Sequence, residues 1–269
     1  MKFDSMRAWR DGVAALSGNR EVLAVVGGVF LLLPNLAFGL LIDEPQLPPG
    51  GSREVMMAAL SAFFMQALPW LALVSLVQLV GQLTVIGLIG EHPRPTVGEA
   101  LRGGVFALPT TILAQIAVTI IVLAALVVPS FVLGLTGSAL LVALGWLYVG
   151  CLASARFCLT LPAIVIERRR NPFAAIGRSW NLTQGNTFRI GHFFLLLVVV
   201  AIVLLLLLSL LLGVLLAVTA GESTAAKLIS GLFSGVLATG TVLLMMGIVV
   251  AIYRQLAGEN GGEDARTFD

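Results

Sequence analysis

The chain has 269 residues, of which 58% are hydrophobic and only 11% charged, with a net charge of +2 and a mean hydropathy of +1.02. Soluble domains carry roughly 25% charged residues. This composition cannot cover an aqueous surface, and it excludes a water-soluble enzyme or nucleic-acid-binding domain.

Taken in chain order, residues 1–20 read as an amphipathic helix. Phe3, Met6, Trp9 or Arg10, Val13 and Leu16 fall at helical spacing, with Lys2, Asp4, Arg7, Arg10 and Asp11 elsewhere. That pattern predicts a helix lying in a membrane surface with Trp9 at headgroup depth. Val22 to Ile42 carries no charge and has no small-residue cleavage site before Asp43, so it reads as a retained first span, bent at Pro34. A polar loop follows from Asp43 to Glu54. Val55 to Gly90 is too long for one perpendicular helix, and Pro69 is expected to divide it into a short interfacial helix (55–67) and a second span (69–90). After the polar segment Glu91 to Gly104, the third span is Val105 to Val128, ended by Pro129, and the fourth is Ala139 to Ile166. Glu167 to Arg189 is the largest polar segment. Phe193 to Val218 is apolar all round, as a lipid-facing fifth span should be. Glu222 and Lys227 mark a short turn before the sixth span, Leu228 to Tyr253, and a flexible polar tail covers 256–269.

The predicted fold is therefore all-α: a single integral membrane domain over 1–255, with spans at about 22–42, 69–90, 105–128, 139–166, 193–218 and 228–253 and amphipathic cytoplasmic helices. With the polar segments assigned alternately to the two sides, thirteen Lys and Arg fall on the side of residues 1–20 and two, Arg53 and Lys227, on the other. The excess marks the cytoplasmic side and puts both termini there. Each pair of spans follows a cytoplasmic amphipathic segment. Arg7-Ala8-Trp9 with Gly18-Asn19-Arg20 resembles Arg178-Ser179-Trp180 with Gly185-Asn186 and Arg189, and Pro95 to Arg102 repeats the Pro-then-Arg spacing of Pro172 to Arg178. Three parallel two-helix repeats account for this. So does the simple recurrence of Arg and Trp wherever a helix meets headgroups.

Arg156 is the most pointed candidate. Ten residues from Ile166, it is expected about 15 Å deep, near the bilayer middle. A charge there costs at least ~2.5 kcal/mol, so it serves either an anion site, such as a lipid phosphate, or a structural bond to helix carbonyls freed by Pro162. Gln78 and Gln82 share a face of the second span, and Gln115 and Thr119 share one of the third. They act as interhelical glue or line a polar cavity with Arg156. Gly231 to Gly235 is a small-xxx-small face suited to helix packing.

In the polar segment, Asn171 can cap a helix, with Pro172 at its first position and Gly185 closing it in a left-handed conformation. Phe173, Ile176 and Trp180 form its apolar face. Arg168, Arg169, Arg170, Arg178 and Arg189 either bind anionic headgroups, at about 1 kcal/mol each, or merely set topology.

Cys151 and Cys158 sit seven apart, about 10 Å along a helix, too far for a disulfide and without partners for a metal site. His92 and His192 sit at interfaces as solvated residues rather than ligands. Glu91, Glu99 and Glu167 are scattered among basic residues with no pair spaced for acid–base work. No P-loop, dinucleotide fingerprint or HExxH motif is present. Neither cofactor, metal nor nucleic-acid partner is expected.

Leu161-Pro162-Ala163-Ile164-Val165-Ile166-Glu167, followed by Ala174 to Asn186 (AAIGRSWNLTQGN) and then Phe188 and Arg189, resembles the signature of a bacterial family. It comprises the membrane domain fused to some glycerophosphodiester phosphodiesterases and the related YciC-like inner-membrane proteins. In that family an Arg a few residues before the Pro-Ala step resembles Arg156, and the six-span layout with an amphipathic start also matches. The resemblance implies a role in envelope integrity. It implies no phosphodiesterase activity, because that belongs to the fused soluble barrel, for which this chain has neither room nor metal-site residues. The expected function is a non-enzymatic membrane protein that binds anionic phospholipids at Arg156, Arg168, Arg169, Arg170, Arg178, Trp180 and Arg189. The alternative is a transporter or flippase of a lipid-like anion, with Arg156, Gln78, Gln82 and Gln115 along its path.

Overall fold

A computed structural model describes residues 2–42, 52–91, 93, 95–219 and 223–258. The loop at 43–51, His92, Arg94, the Glu222 turn and the tail at 259–269 lie outside the described residues, as does the side chain of Lys227. Every regular element among the described residues is helical. In order they are α1 (Ser5–Ser17), α2 (Arg20–Gly27), a π-helical turn (Gly28–Leu32), α3 (Leu33–Leu41), α4 (Arg53–Gly90), α5 (Val97–Gly134), α6 (Ala139–Phe157), α7 (Thr160–Val165), α8 (Pro172–Thr183), α9 (Thr187–Thr219) and α10 (Thr224–Ala257). Six stretches are long and apolar enough to cross a membrane.

Proline acts differently from the sequence expectation at three of these helices. Pro69 does not divide α4, and Pro129 does not end α5; both helices run 38 residues, and α5 also contains Pro109. A proline removes one main-chain hydrogen bond, whereas opening the chain in hydrocarbon would strand several polar groups without water. The fourth span, expected to be continuous, is instead interrupted: α6 stops at Phe157 and α7 resumes at Thr160. Pro162 cannot donate to the Cys158 carbonyl there. In the first span the irregularity is the π turn just before Pro34, which cannot donate to Phe30.

Exposure divides the molecule into two layers. Large exposed apolar side chains run from Val55 to Leu76 on α4, Val97 to Leu135 at α5, and Phe188 to Val218 on α9. The shortest of these stretches, on α4, advances 21 residues, about 32 Å of helix, enough to cross the ~30 Å hydrocarbon core of a bilayer. This belt is the lipid-facing layer. The buried residues gather beyond it, in a packed base made of helix ends together with α1, α7 and α8. Leu83, Val85, Ile86 and Ile89 of α4 pack there with Leu23, Val26, Ala100, Val165 and Val250. Ala155, Leu159, Ile176, Ile190, Ile248, Ile252 and Tyr253 form a second cluster. Fully burying side chains of this size stabilises by roughly 1.5–3 kcal/mol each.

α1 crosses α10 where two glycines meet. A Cβ on Gly247 would lie 2.9 Å from the Gly12 carbonyl oxygen, and one on Gly12 would lie 3.0 Å from the Ile248 Cα. Gly247 is nineteen residues beyond Leu228, about 28 Å along α10, so the crossing lies at the belt edge. The apolar face expected on α1 is split. Phe3, Ala8 and Gly12 are buried, with Leu16 half-buried, while Met6, Trp9 and Val13 remain exposed. Ala8 and Gly12 make the approach close enough to seat the helix; the larger residues on the neighbouring stripe face outward.

Candidate functional site

Helix α8 organises the site. Its start follows the sequence: the Asn171 side-chain oxygen accepts from the N–H groups of Phe173 at 3.0 Å and Ala174 at 3.3 Å, and Pro172 takes the first helical turn. Beyond its end Gly185 has φ +81°, which a residue without Cβ adopts freely. Its inward face is only partly the predicted one, with Ile176 as the residue in common. Ala175, Ile176, Ser179 and Thr183 are buried, whereas Phe173 is 72% exposed and Trp180 45% exposed. Small side chains let α8 approach α6 closely enough for the Ser179 hydroxyl to donate to the Arg156 carbonyl at 2.7 Å. A large ring there would hold the helices apart.

Arg156 lies seventeen residues from Ala139, about 26 Å along α6. It lies eight residues beyond Tyr148, the last large exposed apolar side chain of α6. Residues 158–166, counted from sequence as membrane depth, belong to the base. The guanidinium carbon is 4.3 Å from the Trp180 ring centroid, and Nη1 donates to the Trp180 carbonyl at 3.4 Å. The carbonyl it meets is thus on α8 rather than one released by Pro162. Stacking on Trp leaves the edge of the guanidinium available for further hydrogen bonds.

Arg156 and Trp180 line a groove of about 620 Å³ between α5, α6 and the α8–α9 turn. Arg189 joins them at the upper end, with no ion-pair partner among the described residues. Ile121, Val122, Ala125, Val149 and Leu152 line the deeper part, and no acidic residue contributes. The groove thus crosses the belt edge, cationic at the rim and apolar below it.

The remaining arginines turn to the other side of α8. Glu167 receives Arg169, Arg178 at 2.8 Å and the Tyr253 hydroxyl, joining the α7–α8 turn, α8 and α10. Burial alone would raise the pKa of this carboxyl, but the hydrogen bonds from Tyr253, Arg169 and Arg178 outweigh that and hold it below its ordinary value. The hydrogen bond to Glu167 in turn raises the pKa of Arg178. Arg168 takes a left-handed conformation, φ +53°, and pairs with Glu91 at 3.1 Å. Arg170 is anchored through its carbonyl, which accepts from the Thr110 hydroxyl at 3.1 Å.

The glutamines are not brought to Arg156. Gln78 donates to the Asn35 side chain at 2.8 Å, tying α4 to α3. Gln82 is half-buried, Gln115 is exposed, and none of the three lines the groove. In the small-residue face of α10, Gly235 admits Leu32 and Leu36, while Gly231 faces open space. Both cysteines are free. His192 Nδ1 lies 2.7 Å from the Phe188 carbonyl of its own helix. Among the described residues, no three His, Cys, Asp or Glu converge as metal ligands.

Sequence reasoning missed the long-range links. Besides Tyr253 on Glu167, the Phe3 N–H donates to Asn186 at 2.9 Å, and Arg254 donates to the Ile89 carbonyl at 2.7 Å. Glu167 carried one usable signal, an acid directly before three arginines. Asn186 carried another as the last residue of the family-like stretch.

Helices, belt and charged base together define an all-helical, multi-pass integral membrane protein. Residues 105–259 match the family model described as the membrane domain of glycerophosphoryl diester phosphodiesterase, and the chain belongs to that family. The match is to the membrane domain alone, with no catalytic domain matched. No curated protein and no solved structure matches the chain. The family-like residues Glu167, Arg178, Ser179, Trp180 and Asn186 are those that join α1, α6, α8 and α10.

Proposed function

We propose that this protein binds a net-anionic phospholipid in the groove at the belt edge, as a non-catalytic component of envelope or lipid homeostasis in a bacterial inner membrane. The observation that carries the reading is the groove's polarity. Arg156 and Arg189 supply its cations, and apolar residues of α5 and α6 make up most of the rest of its lining, an arrangement that suits a phosphate above an acyl chain. Zwitterionic headgroups are disfavoured. Their ammonium would meet two guanidiniums and no carboxylate, and the Trp180 face is already taken by Arg156. The excess of Lys and Arg around the base supports a cytoplasmic placement for it and for both termini.

The test is purification in native-lipid nanodiscs, with co-purifying lipids identified by mass spectrometry for wild type, Arg156→Gln and Arg189→Gln. Enrichment of a net-anionic lipid over the bulk membrane, reduced several-fold in both variants, is expected. A bulk-like lipid profile in wild type sinks the reading.

A further inference from the structure

A second depression, of about 540 Å³, opens in the base between the α4–α5 and α7–α8 connections. We propose that it binds a phosphate-bearing anion, held between the guanidiniums of Arg102 and Arg170.

The charges around it are unequally committed. Of its acids, Glu91 pairs with Arg168, and Glu99 is turned back to cap α5, accepting from the Thr96 N–H at 2.8 Å and hydroxyl at 2.9 Å. Arg169 is held by Glu167. Arg102 and Arg170 both line the depression, and neither has an ion-pair partner among the described residues. Arg102 rests over the Phe106 ring at 5.6 Å, which orients the guanidinium while leaving its N–H edge free. Arg170 is fixed at its main chain by Thr110, so its side chain extends from an anchored point. The small residues Gly87, Ala100 and Gly103 share the lining, and a Cβ on Gly103 would meet nothing within 4 Å. Two planar guanidinium forks on that lining match the tetrahedral oxygens of a phosphate.

Depth narrows the ligand. Gly87 is eleven residues past Leu76, the last large exposed apolar side chain of α4, about 16 Å along that helix. The headgroup layer adds only about 5–8 Å on each side of the hydrocarbon. The depression therefore faces water, and its phosphate is free, esterified to a soluble molecule, or carried at the end of an extended headgroup.

The experiment is calorimetric titration of inorganic phosphate into the full chain in phosphatidylcholine nanodiscs at low ionic strength. Saturable binding is expected, weakened at least tenfold by Arg170→Gln and by Arg102→Gln, partly retained by Arg170→Lys, and unchanged by Arg189→Gln. The Thr110 contact is to the Arg170 carbonyl, so Arg170→Gln leaves that anchor in place. Absence of saturable binding in wild type, or undiminished affinity in Arg170→Gln, overturns the proposal. Repeating the titration with a lipid whose extended headgroup ends in a phosphate (phosphatidylinositol 4-phosphate) in the nanodiscs separates the sources: displacement of inorganic phosphate assigns the site to a lipid headgroup, and retention assigns it to a soluble ligand. Because Arg189→Gln tests the rim groove alone, failure of one site is distinguishable from failure of the other.

Discussion

Two guanidiniums and a phenol converge on Glu167 from the α7–α8 turn, α8 and α10, and their chemistry predicts how the base responds to acid. The carboxyl is held below its ordinary value near 4.3. A depressed folded-state pKa stabilises fully above the unfolded value and is lost as pH falls through the folded one. Thermal stability in nanodiscs should therefore be flat from neutral pH to about 5 and fall below about 4. Glu167→Gln should cost about 2 kcal/mol at pH 7 and flatten the acid limb; an acid limb as steep as wild type would remove Glu167 from the account. At this scale the sequence exposed only local chemistry. The Asn171 cap was readable because donor and acceptor lie within three residues. Tyr253 lies 86 residues from Glu167, and no local pattern ties them. Arg156 was recognisable as unusual, but its depth was not, because counting from Ile166 treats every apolar residue as membrane.

Helix α8 shows how small residues take the place that amphipathic reading gives to large ones. Ala175 and Ser179 face inward at i, i+4 spacing, and Trp180 turns out to meet Arg156. Asn171→Ala removes the acceptor for two otherwise unpaired N–H groups and should cost about 1 kcal/mol, read as a lower unfolding midpoint in nanodiscs. The α1–α10 crossing is less forgiving. Gly12→Val places side-chain atoms into the Ile248 main chain, and overpacking of this kind costs about 1–3 kcal/mol. α1 should become protease-sensitive while the spans stay inserted, whereas unchanged protection would mean that the helices cross elsewhere. The apolar runs announced the long helices, and α5 was read through Pro109, but continuity through Pro69 and Pro129 was not legible. The sequence shows where a hydrogen bond is lost, and the bilayer decides whether the helix can afford to open.

For the whole molecule, the division into belt and base was hidden because both are built from the same residues. Leu83 and Ile86 in the base are as apolar as Leu207 and Leu210 in the belt; one pair is buried by protein and the other left exposed. Six spans were legible from run length, but the extra length of α4 and α5 entered the count as membrane. Single cysteines make the division measurable in a background lacking Cys151 and Cys158. A cysteine replacing Leu207 should resist a water-soluble maleimide in intact membranes, and one replacing Arg168, whose side chain is 80% exposed, should react from the cytoplasmic side. Labelling of the Arg168 position from outside would reverse the proposed orientation. The glycine crossing carries a further consequence, for the order of biosynthesis. Gly12 is made 235 residues before Gly247, so the seat of α1 does not exist until nearly all of the chain has left the ribosome. Until then α1 has only the bilayer surface and its contacts with earlier chain, such as Phe3 on Asn186, to hold it, and Met6, Trp9 and Val13 still face outward after docking. One stripe of the helix thus serves as its berth during synthesis, and the glycine stripe becomes its mooring once α10 arrives.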